Sequence, residues 1–174
     1  MSERAGKMDA RERVDAIIHA YLDEIEQVKK DSGLSGLFGF GKAPKNDPAN
    51  DRFLGGMKNE IGFIASEQLS SKELCEVLKT IYTAQDTRQD FVYYVLIAVH
   101  GETMPLIAGL APEDAAILLK MYETRFPRNQ RLPVQDLLIG ELRRQAGVPG
   151  KQERGLFSWH KRDQERRNTK DGQS

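Results

Sequence analysis

Apolar residues recur at three- and four-residue steps through most of the chain, the spacing that gathers them on one stripe of a helix. Val14, Ile17, Ile18, Tyr21, Leu22, Ile25 and Val28 form the first stripe and predict a helix from about Met8 to Lys30. Arg11, Glu12, Asp23, Glu24 and Lys29 fall on its other side. Asp47-Pro48, a cap residue followed by proline at the first helical position, predicts the start of a second helix carrying Phe53, Leu54, Met57, Ile61 and Ile64. Gly55 and Gly56 lie inside it and either admit a close neighbour or break it. A third helix opens on a capping box, Ser70 with Glu73, and buries Leu74, Val77, Leu78, Ile81 and Tyr82.

Asp86 and Gln89 stand in the same relation before nine apolar residues in a row, Phe91 to Val99. Such a run is either a strand buried on both faces or a helix at the centre of a bundle, and periodicity alone does not separate the two. The upstream cap and the lack of a clear partner strand favour the helix. Gly101 and Pro105 punctuate the chain. A fifth helix starts at Pro112, with Glu113 and Asp114 near its positive end, and is expected to bury Ile117, Leu118, Met121 and Tyr122. A sixth starts at Pro133, is expected to bury Val134, Leu137, Leu138 and Leu142, and closes at Gly147 and Pro149. The expected fold is all-α, a single compact bundle of about six helices with short loops.

The domain organisation expected is a flexible N-terminus at 1–7, a bundle at 8–147 holding a Gly-rich connector at 32–46, and a flexible basic tail at 148–174. Four glycines between Ser32 and Lys45 carry too much backbone freedom for a helix. Lys plus Arg and Asp plus Glu each number 26, so the net charge is zero, which argues against a basic nucleic-acid coat and an acidic tail protein. The zero hides an asymmetry. Residues 151–174 hold seven Lys or Arg and four Asp or Glu, a surplus of three positive charges matched by three negative in the rest of the chain. One cysteine excludes a disulfide framework and a Cys-only zinc site. The absence of an apolar run of membrane-spanning length, and a polar N-terminus without the apolar stretch of a signal peptide, lead to the expectation of a reducing, cytoplasmic compartment.

Candidate chemistry is sparse. Gly36-Leu-Phe-Gly-Phe-Gly-Lys42 has P-loop spacing, but Ala43 stands where the magnesium-binding hydroxyl belongs, Pro44 follows, and a helix rather than a strand precedes. His19, His100 and His160 show no ligand spacing, so no metal or cofactor is expected. His100 follows the apolar run, where the negative end of a helix would favour its protonated form. Cys75 reads as a buried, inert thiol. Ser35 and Ser158 lack a nucleophile-elbow context. No catalytic residue is identified, and an enzyme is not the expected class.

Two features point to contact rather than chemistry. Gly36-Leu37-Phe38-Gly39-Phe40-Gly41-Lys42 is echoed by Gly155-Leu156-Phe157-Ser158-Trp159-His160-Lys161. Both read Gly-Leu-Phe, any residue, aromatic, any residue, Lys, outside the periodic helices. Leu37, Phe38, Phe40, Leu156, Phe157 and Trp159 are therefore candidate anchors for a partner's pocket or a membrane surface, the alternative being that each segment plugs a groove of its own bundle. Arg125, Arg128 and Arg131 form a basic loop at a helix start, with Arg143 and Arg144 further along, a candidate site for an anion or a nucleic acid. Glu123, Asp136 and Glu141 are near enough in sequence to pair with them instead. The leading expectation is a non-enzymatic interaction protein, an adaptor, regulator or small subunit, that docks a protein partner through the Gly-Leu-Phe segments. The second is a nucleic-acid accessory protein using the arginine loop and the tail, and the third is attachment to an anionic membrane surface. The oligomeric state has no signature in the sequence.

Overall fold

A computed structural model describes residues 8–31, 47–84 and 91–149. The expectations about 1–7, the connector at 32–46, the cap at Asp86 and Gln89, and the tail from Gly150 lie outside the described residues. The fold is all-α. In chain order the helices are α1 (Ala10–Asp31), α2 (Pro48–Ser66), α3 (Ser71–Thr83), α4 (Phe91–Glu102), α5 (Met104–Ile107), α6 (Pro112–Arg125) and α7 (Pro133–Gln145), with a 3₁₀ turn at Arg128–Gln130. The helix beyond the expected six is α5, a single turn with Pro105 inside it. Proline suits a first turn, whose N–H groups have no intrahelical partner.

Local signals set the helix ends. Asp9 and Glu12 cap α1 reciprocally, the Asp9 carboxylate accepting from the Glu12 N–H at 2.7 Å and the Glu12 carboxylate from the Asp9 N–H at 3.0 Å. Asp47 accepts from the Ala49 N–H at 2.8 Å ahead of Pro48. Ser70 and Glu73 form the expected box at α3. The last helix ends where Gly147 takes a φ of 66°, and the Val148 N–H donates back to the Arg143 carbonyl at 3.0 Å. Only glycine adopts that backbone without strain.

The six longer helices stack as three layers of two. α1 packs beside α2, and α6 beside α7. Between these pairs lie α3, which touches α1 and α6, and α4, which touches α2 and α7. Arg13 near the start of α1 reaches Glu60 late in α2 and Glu67 just past its end, whereas Tyr21 and Glu24 further along α1 meet Asn50 and Arg52 at the start of α2. The α1–α2 pair is thus an antiparallel hairpin. The central place of α4 explains its unbroken apolar run: Val92, Tyr93, Val95, Leu96, Ile97 and Val99 are all buried.

Several stripe assignments need correction. Ile117 is 53% exposed and Leu137 68% exposed, while Met121 and Val134 are half-buried. The core takes Ala115, Leu118, Leu119 and Tyr122 from α6, and Leu138, Ile139 and Leu142 from α7. Both helices are rolled so that a neighbouring stripe faces inward, and Gln135 rides into the core with it. Ile17, Leu22 and Val28 also sit at the edge of their stripe. Gly55 and Gly56 do not break α2, and a Cβ on Gly56 would only graze Ile17 at 4.0 Å.

Candidate functional site

The basic candidates are mostly engaged inside the bundle. The Arg131 side chain is only 9% exposed; its Nε donates to the Phe126 carbonyl at 2.6 Å and its Nη1 lies 3.6 Å from Asp136. It straps the α6–α7 connection. Arg143 pairs with Glu123 across α6 and α7, and Arg144 grips Glu141 one turn back, with an Nε contact of 2.9 Å. Arg125 donates to the Thr83 carbonyl at 3.2 Å, tying α6 to the end of α3. Arg128 is exposed on the 3₁₀ turn. The sequence brings the five arginines to one pair of helices, and the acids beside them take up much of their charge.

A second group joins the middle layer to α6. Tyr82, His100, Tyr122 and Phe126 pack edge to face or tilted, with ring centres 4.7–5.8 Å apart. His100 Nδ1 is 2.7 Å from the Tyr122 hydroxyl, and the ring also bonds the Ile81 backbone. A carbonyl can only accept, so the proton sits on the nitrogen facing Ile81, and Nδ1 accepts from Tyr122. The Tyr82 hydroxyl meets Thr103 Oγ1 at 2.7 Å, and Thr103 donates to the His100 carbonyl at 2.7 Å. Burial, with a lesser push from Arg125, takes the His100 pKa down to about 3. This corrects the expectation of a protonated ring: desolvation outweighs the helix end. Burial also raises the pKa of the Tyr82 and Tyr122 hydroxyls. The group is neutral and internally bonded, a core device rather than an acid–base pair. Cys75 is likewise buried, which raises its pKa.

An open cleft of about 390 Å³ lies where the start of α1, the α2–α3 turn and the first half of α3 converge. Met8, Ala10, Leu69 and Val77 give it apolar surface; Asp9, Glu67, Glu73 and Glu76 give it carboxylates, against Arg11 and Arg13. Arg13 organises one wall. Its Nε bonds Glu60 and its Nη2 Glu67, both at 2.7 Å; its Nη1 donates to the Met8 carbonyl, and its guanidinium lies 5.1 Å from the centre of the half-exposed Phe63 ring. Two cleft carboxylates repel: Glu73 is held down in pKa by its bonds to Ser70, but Asp9 pushes it upward. The sequence reading did not single out Arg13, because its partners lie 47 and 54 residues away. The local signals at this place are the Ser70–Glu73 box, which supplies one of its carboxylates, and the pattern Asp9-x-x-Glu12, which could have marked the start of α1.

Leu37, Phe38, Phe40, Leu156, Phe157 and Trp159 lie outside the described residues. Among the described residues, no group of three His, Cys, Asp or Glu side chains is placed to hold a metal ion, and no helix is long and apolar enough to cross a membrane. Compared with protein-family models, curated proteins and solved structures, the chain matches none.

Proposed function

We propose that this chain is a non-enzymatic interaction protein, an adaptor, regulator or small subunit of an assembly, whose bundle is a rigid support and whose Gly-Leu-Phe segments anchor a protein partner. The observation that carries the reading is how the described residues use their reactive groups. His100, Tyr82, Tyr122 and Cys75 are sunk in the core, and Arg131, Arg143 and Arg144 are bonded to neighbouring groups of the bundle. Apolar side chains stand at the surface instead: Met8, Phe63, Tyr94, Ile117 and Leu137. Apolar side chains left at the surface are what a protein partner would cover on binding.

The anchors are tested in the full chain carrying Leu156→Ala, Phe157→Ala and Trp159→Ala together. Native complexes isolated with the unchanged chain should contain a partner that the triple variant loses by tenfold or more, because aromatic anchors carry most of a small interface's energy. An unchanged set of partners, with unchanged thermal stability, removes the segment from the proposed role.

A further inference from the structure

We infer that the acidic cleft between α1 and α3 is the resting seat of the chain's own basic aromatic segment, Arg154–Arg162, which a partner must displace. This rests on the reading that the segment is an anchor. The cleft offers Met8, Leu69 and Val77 as apolar wall beside four carboxylates, Asp9, Glu67, Glu73 and Glu76, against two cations, Arg11 and Arg13. The segment, Arg-Gly-Leu-Phe-Ser-Trp-His-Lys-Arg, offers three apolar side chains between Arg154 on one side and Lys161 and Arg162 on the other, with no acid among them. Charge and apolarity match in kind. Asp9 and Glu73 both line the cleft, and a cation seated beside them would offset their like charge.

Reach separates this segment from its echo. The connector leaves α1 at Asp31 and enters α2 at Asp47, the end of the hairpin opposite the cleft. A helix of 22 residues is about 33 Å long. Phe38 is seven steps from Asp31 and Phe40 seven from Asp47, at most about 25 Å of extended chain. The first copy falls short. The tail starts elsewhere. Val148 borders a shallow concavity that Ala116, Leu119 and Lys120 of α6 also line, and α6 packs directly on α3, which carries Glu73, Glu76 and Val77. Seven steps from Pro149 to Leu156 also span up to about 25 Å, more than twice one helix diameter. A tethered segment binds its own chain at an effective concentration near millimolar, so occupation in cis precedes association with a second copy.

Trp159, the only tryptophan of the chain, reports the seat directly. In the full-length protein at low salt its emission should be blue-shifted, poorly accessible to acrylamide, and independent of protein concentration. Glu76→Lys reverses an exposed charge of the cleft outside the Ser70–Glu73 cap, at the cost of the Glu76–Lys79 ion pair on the surface of α3. It should shift the emission to the red and raise the quenching constant at least twofold, as should 0.5 M salt in the unchanged chain. Solvent-like emission at low salt overturns the inference. So does a buried emission that ignores both Glu76→Lys and salt, and so does burial that appears only as concentration rises, which assigns the seat to a second copy. None of these outcomes bears on whether the triple anchor variant loses its partner.

Discussion

His100 shows how one residue's surroundings become a property of the protein. Its ring is neutral in the fold with a pKa of about 3, whereas an exposed histidine titrates near 6.5. The unfolded chain therefore binds a proton that the folded chain refuses. The stabilisation is complete above pH 6.5 and is lost as the pH falls from there toward 3, at about 1.4 kcal/mol per pH unit for this single group. Carboxylates held low, such as Glu73 and Glu141, add their own loss only below about 4.5. Urea midpoints taken at intervals between pH 7 and 5 should fall in the unchanged protein. In His100→Gln, itself less stable, they should stay nearly level over the same range. Equal slopes in the two would mean that the His100 ring takes up a proton without leaving the core.

Among elements, the glycines of α2 separate propensity from packing. Gly55 and Gly62 face open space, with nothing within 4 Å of an added Cβ. Their flexibility opposes the helix and nothing in the fold requires it, so Gly55→Ala and Gly62→Ala should each add about 0.5–1 kcal/mol. A Cβ on Gly101 would stand 3.0 Å from Val134 Cγ2 where α4 meets α7, so Gly101→Ala should gain nothing or lose stability. Thermal denaturation of the three variants checks both signs. The same separation decides what could be read from the chain. The starts of α2 and α3 and the end of α7 were legible, because Asp47-Pro48, Ser70 with Glu73, and Gly147 act through bonds to their own neighbours. The buried stripe of α1 or α3 was legible because polar residues separate its apolar positions, so that only one face of either helix is suited to burial. The roll of α6 and α7 was not. It is set by what α3 and α4 present to them, and Ile117 is no less apolar than Leu119. The Arg13 wall of the cleft was hidden for a related reason: three helices meet there through a bond network with no local spacing.

For the whole molecule, the question is whether three layers make one cooperative unit. One continuous apolar core runs from Val14 and Met57 in the first layer, through Leu78 and Ile97, to Leu118 and Leu142 in the last. Every long helix contributes to it, so opening a layer exposes core belonging to the next, and the bundle should unfold in a single transition. Polar bonds within the core are local by comparison. Tyr21 donates to Asn50 at 2.8 Å and stacks on Phe53 at 4.2 Å, within the α1–α2 layer. Tyr122 and His100 bond each other between α6 and α4. Removing one hydroxyl from a buried pair costs about 1–3 kcal/mol, because the former partner stays buried and unpaired. Tyr122→Phe and His100→Leu remove the two sides of one bond, so the double variant should lose less than the sum of the singles, by about 0.5–3 kcal/mol. Tyr21→Phe and Tyr122→Phe lie a middle layer apart and should add to within about 0.5 kcal/mol. Urea unfolding followed by circular dichroism measures both cycles, and an unchanged dependence on urea in all variants would show that the layers still open together. Coupling between Tyr21 and Tyr122 as large as that between Tyr122 and His100 would instead mean that strain passes through the apolar core from one outer layer to the other.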